Sequence, residues 1–263
     1  MSIMRIYLIN LARRPDRLAA MIRQTVPLGL SLERIEAVDA KSEEPAMVNR
    51  WFTESGPLGE IPMGDKACLV SHRQGWEMFL ASGDRHAVFL EDDVRLSASA
   101  AALLTSDGWI PADAAVVKLE HYGPPGQRVL LDGIRGVGED FRLGRMLSRH
   151  TGAAAYILSR RAAELLLRQT RFDLPVDHLL FNPNNSKLFA ALRPLQLLPA
   201  IARQEEFVGE KSDIEGTRRG LRAFGRTYLK RELMRFGYDL KLVPRQIAAL
   251  AGGAKFVAMR TDD

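Results

Sequence analysis

The sequence predicts an α/β fold: a mainly parallel central sheet flanked by helices, with a basic helical tail. Three observations carry that expectation. Short apolar runs rich in β-forming residues alternate with segments of helical period as far as Gln169, the pattern of strands joined by crossover helices. Three of those runs stop on polar residues, Asn10, Asp39 and Glu91. Basic residues crowd into one late segment. In sheets of this class ligands sit at the carboxyl ends of strands, so the three polar ends predict a single site.

Residues 6–9, Ile-Tyr-Leu-Ile, read as a buried strand ending at Asn10. Pro15 and Asp16 suit the first turn of a helix that continues until Pro27. Residues 32–38 read as a second strand, ending at Asp39. Pro45, Gly56, Pro57, Gly59 and Pro62 make 41–63 a loop region with one short helix over 46–52. Over 65–82, Leu69, Trp76, Phe79 and Leu80 recur at helical spacing, and Gly83 supplies a stop. A strand over 87–90 runs directly into Glu91-Asp92-Asp93. Ser97 is expected to cap a helix through Leu104, and 115–119 is another strand. The glycine-rich segment 123–144 reads as a hairpin or a mobile loop. Residues 152–158 form a strand, Ser159 caps a helix to Gln169, and 195–198 is a last short strand. No internal repeat or low-complexity tract interrupts this order.

Of the 263 residues, 46% are hydrophobic and 26% charged, a globular composition. No apolar run approaches bilayer length, and the first residues show no apolar signal core; the expected location is the cytoplasm. Cys68 is the only cysteine, which excludes an internal disulfide and a cysteine-rich metal site and suggests a small buried apolar residue on a helix. The net charge is +5, but it is unevenly spread. From 216 to 245, cations such as Arg218, Arg222, Arg226, Lys230 and Arg235 are opposed only by Glu232 and Asp239. The chain therefore divides into a body, 1–215, and a basic extension, 216–263. A local cationic surface attracts polyanions. Leu221, Phe224, Tyr228, Leu229, Leu233 and Phe236 recur near helical spacing among those cations, which fits a helix lying on anionic lipid or one docked on the body.

Glu91, Asp92 and Asp93 place three like charges where an apolar strand stops. A hard cation, which prefers oxygen ligands, offsets their repulsion. Such a cation would also bridge a diphosphate and act as a Lewis acid on a departing nucleotide. The plain alternative is a solvated loop. If the extended backbone persists, Glu91 and Asp93 face one way and Asp92 the other. Arg13, Arg14 and Arg17 follow the first strand; arginine forks onto phosphate oxygens, whereas a solvated helix face is the reading for Arg14. His72, taken alone, reads as a packed histidine. After His150, the small residues around Gly152 let backbone approach a ligand closely or pack tightly in the core. Asp177 is a general base or a helix N-cap. A metal-dependent nucleotidyltransferase also needs acids after a strand, but no phosphate-cradling glycine motif is present. A non-catalytic basic module for membranes or nucleic acid fits the tail, while the acidic cluster argues against nucleic acid on its face.

In order along the chain, these motifs resemble glycosyltransferase family 25, the lipopolysaccharide and lipooligosaccharide sugar transferases related to collagen galactosyltransferases. Residues 6–11 with Arg13, Asp16 and Arg17 resemble the opening motif, and 37–40 the second strand end. Residues 64–72, Gly-Asp-Lys-Ala-Cys-Leu-Val-Ser-His, resemble the family's glycine-acid helix, and 89–93 its acidic motif. Residues 150–159, 175–177 and 212–214 resemble the later elements. Ala12, Asp65 and Ala67 depart from the common pattern. The resemblance implies a GT-A type nucleotide-sugar-binding fold and an inverting transfer, usually of galactose from UDP-galactose, onto a saccharide acceptor that is often lipid-linked. It implies a divalent cofactor, Mn2+ ahead of Mg2+, with Asp93 as principal metal ligand and Asp92 or Glu91 assisting. Asn10, Leu11 and Asp39 would line the uridine pocket, Arg13 and Arg17 would hold the diphosphate, and His72, Glu91, Asp92, His150 and Gly152 would complete the nucleotide-sugar site. Asp177 becomes the base. The tail would attach the protein to the inner face of the cytoplasmic membrane, and no nucleic-acid partner is expected.

Overall fold

The computed structural model describes residues 4–124, 126–204 and 240–262. Strand β1 (Arg5–Asn10) turns Tyr7 and Ile9 to one face and Ile6 and Leu8 to the other, all buried, as a strand covered on both sides requires. Helix α1 (Pro15–Thr25) opens with proline in its first turn and buries Met21. It returns the chain so that β2 (Leu32–Glu36) pairs parallel with β1, Ile9 opposite Ile35. A short helix, α2 (Pro45–Asn49), leads into the 20-residue α3 (Met63–Ser82), which stops at Gly83 in the left-handed conformation, φ 83°. Strand β3 (His86–Glu91) then pairs parallel with the other side of β1, Ile9 opposite Glu91. The carboxyl ends of β1, β2 and β3 therefore reach the same sheet edge, as the three polar ends foretold.

The rest of the chain is built differently. Strand β4 (Val94–Leu96) and helix α4 (Ala100–Leu104) precede β5 (Val116–Lys118) and the two-residue β6 (Glu120–His121). The glycine-rich segment is a hairpin, β7 (Arg128–Val137) and β8 (Phe141–Met146), inside the main sheet. After it come β9 (Ala155–Ser159), α5 (Arg160–Leu167), α6 (Val176–Phe181), α7 (Phe189–Leu192), β10 (Leu195–Leu198), β11 (Ala202–Gln204) and β12 (Lys255–Ala258). Among the described residues the main sheet has nine strands in the order β12-β7-β8-β10-β5-β9-β3-β1-β2, and β4-β11-β6 form a small second sheet.

The mainly parallel sheet expected from the sequence is instead mixed. Within the main sheet, among the described residues, parallel pairing is confined to β1/β2, β1/β3 and β5/β10. The β3/β9, β5/β9, β8/β10, β7/β8 and β7/β12 pairs are antiparallel. Alternation of strand and helix forces parallel pairing only where a helix makes the crossover. Strand β9 is reached through the β7/β8 hairpin and enters between β3 and β5 against both. Helices still cover both faces. Leu69, Trp76 and Phe79 of α3, Leu166 of α5 and Leu180 of α6 pack with Phe89 and Tyr156. Met21 of α1 and Leu103 and Leu104 of α4 pack with Leu90 and Ile157 on the other side.

Local expectations fared unevenly. Ser159 does cap α5, its hydroxyl accepting from the Ala162 amide. Ser97 does not cap α4 with its side chain: α4 starts at Ala100, and only the Ser97 carbonyl accepts the Ala100 amide, at 3.1 Å. Strand β10 is not the last strand, since β11 and β12 follow. Within the expected helical extension, residues 240–251 are helical and Lys255–Ala258 form the sheet's edge strand. The clusters at 212–214 and 218–236 lie outside the described residues. No helix among the described residues is long and apolar enough to cross a membrane.

Candidate active site

The strand β3 backbone does not stay extended. Asp92 and Asp93 form a tight turn before β4, so the three acids do not alternate faces as an extended strand would have them. Glu91 points to the α3 face. Asp92 and Asp93 both turn toward α1, where Arg17 Nη1 lies 3.1 Å from Asp92 Oδ1 and 4.0 Å from Asp93 Oδ2. Asn10, at the end of β1, is almost fully buried and donates from Nδ2 to Asp92 Oδ2 at 2.7 Å and to the Arg14 carbonyl at 3.0 Å. Its Oδ1 accepts from Arg34 Nε at 2.9 Å. Both Asp92 oxygens are thus bonded within the protein. Burial still pushes the Asp92 carboxyl up, against the pull of Asn10 and Arg17.

Asp93 is the exception. Its Oδ1 is buried and has no hydrogen-bond partner among the described residues. Burial first, then the neighbouring charges of Glu91 and Asp92, raise its pKa to about 8, and Arg17 only partly offsets them. A carboxylate in this condition is short of positive charge.

On the α3 side, Trp76 Nε1 donates to Tyr156 Oη at 2.8 Å, and Tyr156 Oη lies 2.9 Å from His72 Nδ1. His72 Nε2 is 3.1 Å from Glu91 Oε1. Indole nitrogen only donates and a carboxylate only accepts, so the phenol proton goes to Nδ1 and the Nε2 proton to Glu91. His72 is fully buried yet reaches the acidic turn. Cys68, one turn earlier on α3, is half-buried with Sγ 3.6 Å from Glu91 Oε1; the sequence had suggested only an apolar filler. Burial pushes its thiol well up, and Glu91 adds to the effect.

Strand β2 stops at Glu36, short of the expected end at Asp39; in the loop beyond it, Asp39 accepts from Arg13 Nε at 2.5 Å and from the Lys41 amide at 2.9 Å. Burial pushes this carboxyl upward, but the Lys41 amide and Arg13 outweigh it and hold it below its ordinary value. Ser71 of α3 braces the same loop, accepting the Val38 amide at 2.9 Å. Leu11 is half-buried, and its carbonyl accepts the Arg14 amide. Arg14 forks onto Asp16 at 3.0 and 2.7 Å; it precedes α1, and its side chain is only 13% exposed, so it is not the solvated helix-face residue that the sequence suggested.

Two residues that sequence reasoning passed over stand at the end of β5. Lys118 and Glu120 are both fully buried, Nζ 2.8 Å from Glu120 Oε1 and 2.5 Å from the Gly152 carbonyl. Glu120 Oε1 also accepts the Ala154 amide at 2.8 Å, and the Ala154 carbonyl accepts the Glu91 amide at 2.8 Å. The buried pair therefore fixes the 152–154 backbone, which in turn holds the acidic turn. Gly152, φ 92°, is required there: a Cβ would lie 2.6 Å from Tyr122 Cβ and 2.9 Å from Glu120 Oε1. Its close approach is to these side chains.

His150 stands apart from the carboxylates. It is fully buried between Gln196 Oε1, at 2.9 Å from Nδ1, and the Tyr122 backbone, whose amide lies 3.3 Å from Nε2. Burial, followed by the Lys118 charge, lowers its pKa to about 3, so it is neutral at any physiological pH. Asp177 occupies the second position of α6, after Pro175 at the cap; it is not the N-cap. Its charge is felt at Lys118 and at Cys68.

Fold and site define a class: an α/β protein whose strand ends gather carboxylates and arginines at one edge of a mixed sheet. Residues 3–180 match the family described as glycosyltransferase family 25 (LPS biosynthesis protein). The chain belongs to this family. It is 34% identical over 158 residues to the lacto-N-neotetraose biosynthesis glycosyltransferase LgtB of Neisseria gonorrhoeae, a match that spans 54% of this chain and 53% of that relative. It is 28% identical over 266 aligned positions to LgtE of Neisseria meningitidis serogroup B, covering 89% and 91% of the two chains. A solved glycosyltransferase that acts in glycosylation of the PBCV-1 major capsid aligns over 89% of this chain at 10% identity with a TM-score of 0.42, too loose to define the fold by itself.

Proposed function

We propose that the chain is an inverting, metal-dependent transferase of GT-A type that moves a sugar, galactose from UDP-galactose, onto a saccharide acceptor in lipopolysaccharide assembly. The family and the names of its relatives support a glycosyltransferase in surface-glycan synthesis. The observation that carries the metal reading is Asp93 Oδ1, a buried carboxylate oxygen with no hydrogen-bond partner among the described residues, beside an Asp92 already held by Asn10 and Arg17. An all-oxygen set with surplus negative charge suits a hard cation such as Mn2+ or Mg2+. Asp93 would be its main ligand. Asp92 would assist by fixing the turn. A cation bound there would neutralise charge on the diphosphate leaving group.

The protein's own residues do the rest. Asn10, Leu11 and Asp39 line the ends of β1 and β2, where a uridine would lie. Arg13 and Arg17 stand beside that edge to meet phosphate oxygens. The acceptor hydroxyl attacks the anomeric carbon from the side opposite UDP, the bond from that carbon to the diphosphate oxygen breaks, and the hydroxyl proton passes to Asp177. One in-line displacement inverts the anomeric centre.

The test is UDP release from UDP-galactose, UDP-glucose and UDP-N-acetyl sugars, with and without Mn2+, together with calorimetric UDP binding. Wild-type protein should release UDP from one donor only with metal, and Asp93→Asn should lose roughly 10²–10³-fold or more of that rate, the scale for removing one transition-state stabiliser. Asp177→Asn should abolish transfer while UDP still binds. Failure of UDP to bind even with Mn2+ would sink the reading.

Peripheral attachment to anionic membrane through the cations between 216 and 245 belongs to the same proposal. Because β12 is part of the main sheet, the informative variant reverses charge at Arg218, Arg222 and Arg226 and leaves the chain's length intact. Unchanged binding to phosphatidylglycerol vesicles would refute attachment by this segment.

A further inference from the structure

Cys68 and His72 lie one helical turn apart on α3, so their side chains leave the helix on the same face. Glu91 meets them from the end of β3. Its Oε1 is 3.1 Å from His72 Nε2 and 3.6 Å from Cys68 Sγ, and the three ligating atoms all lie within 4.8 Å of one another. We propose that Cys68, His72 and Glu91 form a binding site for a thiophilic divalent cation of the zinc class, distinct from the oxygen-only site at Asp93.

The spacing fits. Tetrahedral zinc with ordinary bond lengths separates a nitrogen from an oxygen ligand by about 3.3 Å and a sulfur from an oxygen ligand by about 3.6 Å. A thiolate, an imidazole and a carboxylate together select zinc over manganese or magnesium, which favour oxygen alone. The imidazole is oriented from behind: Tyr156 Oη holds Nδ1 and is itself held by Trp76 Nε1, the kind of outer partner that fixes a metal-binding histidine. Asp65 and Asp177 add negative charge felt at Cys68. Three protein ligands leave a fourth tetrahedral position for water. On binding, the thiol proton leaves to solvent, the imidazole proton passes from Nε2 to Nδ1, and the Tyr156 hydroxyl turns its own proton away so that Oη accepts from Nδ1. The ion would tie α3 to the end of β3, whether or not a cation occupies Asp93.

The chain offers a clean readout, because Cys68 is its only cysteine. A thiolate-to-cobalt charge-transfer band in the near ultraviolet can come from no other residue. Full-length protein is titrated with Co2+, then with Zn2+, and thermal midpoints are recorded for every variant. The expected result is a band that saturates at one ion per chain and is displaced by Zn2+. It should be absent in Cys68→Ser and intact in Asp93→Asn. Affinity should fall in His72→Gln and Glu91→Gln by more than the roughly 10–100-fold that loss of an outer partner costs. Zn2+ should raise the midpoint of wild type and leave that of Cys68→Ser unmoved. No band in wild type overturns the proposal, as does a band of unchanged affinity in Glu91→Gln, which marks a lone thiol. Loss of the band in Asp93→Asn overturns it too, since the two sites would then be one. If His72→Gln fails to fold, the half-exposed Glu91 decides the matter.

Discussion

Strands β3 and β5 are both antiparallel to β9 and hence parallel to each other, and acids stand at or just beyond the end of each. Their acids meet opposite fates. Glu120, after β5, is fully buried and ion-paired with Lys118 two residues earlier. Burial pushes the carboxyl toward its neutral form and the lysine likewise, and each charge pulls the other back. Asp93, after β3, has among the described residues only Arg17 at 4.0 Å, and that guanidinium is closer to Asp92. One strand end is neutralised from within, and the other leaves negative charge unmatched. The difference lies in charge and not in orphaned oxygens, since Glu120 Oε2 is also buried without a hydrogen-bond partner among the described residues: β5 carries its own cation in Lys118, and β3 has no cation as close.

The largest effect should come from breaking the internal pair. Lys118→Met leaves a buried carboxylate without its partner, a loss of about 3–5 kcal/mol, read by chemical denaturation. Lys118→Met with Glu120→Leu should regain most of it, because the cost lies in the orphaned charge. If the single variant were as stable as wild type, the two strand ends would not differ in the way described.

How much of this was legible beforehand follows from the range of the interactions. Strands β1 and β3, helices α1 and α3 and the Ser159 cap depend on period and on neighbours a turn away, and the sequence displays both. The direction of β9 depends on how the β7/β8 hairpin returns, which no local pattern encodes. Lys118 and Glu120 were passed over because a lysine in an apolar run reads as a strand's solvent side. Yet opposite charges two residues apart in a β-strand share one face, and that was the available signal. The pairing of His150 with Gln196 spans 46 residues and had none. Cys68 read as filler because its partner, Glu91, comes from another element.

Next in size is a pH effect specific to the β3 end. The folded-state pKa of Asp93 is raised to about 8 from an ordinary 3.8. Between those values the folded chain holds a proton that the unfolded chain has lost, so stability falls as pH rises from about 4 to about 8. The side chain keeps 23% exposure, which damps the slope. Metal-free Asp93→Asn should flatten it, and so should Mn2+ on wild type. Glu120→Gln should not flatten it comparably, since Lys118 already compensates that acid. Equal slopes in wild type and Asp93→Asn would remove Asp93 as the uncompensated group.

Asn10→Ala probes how far the β3 turn is held from β1. It strips Asp92 Oδ2 of its 2.7 Å donor, and leaving a buried acceptor unsatisfied costs about 1–3 kcal/mol. UDP affinity should fall alongside stability if the turn's placement matters to the donor. Lost stability with unchanged UDP binding would confine Asn10 to the scaffold.

The smallest effect tests whether the contrast is local to the edge. Strand β9 lies between β3 and β5, and at its far end the Ser159 hydroxyl accepts the Ala162 amide. Ser159→Ala removes that cap for about 1 kcal/mol. His86 pairs with Ser159 across β3/β9, and Leu90 pairs with Ala155, so the cap and the acidic turn sit at opposite ends of the same ladder. The variant should therefore lower the denaturation midpoint while leaving metal-dependent UDP binding and the pH slope as in wild type. A change in either would mean that the register of β9 carries strain from one end to the other, and the β3 and β5 ends would then have to be treated as one coupled unit.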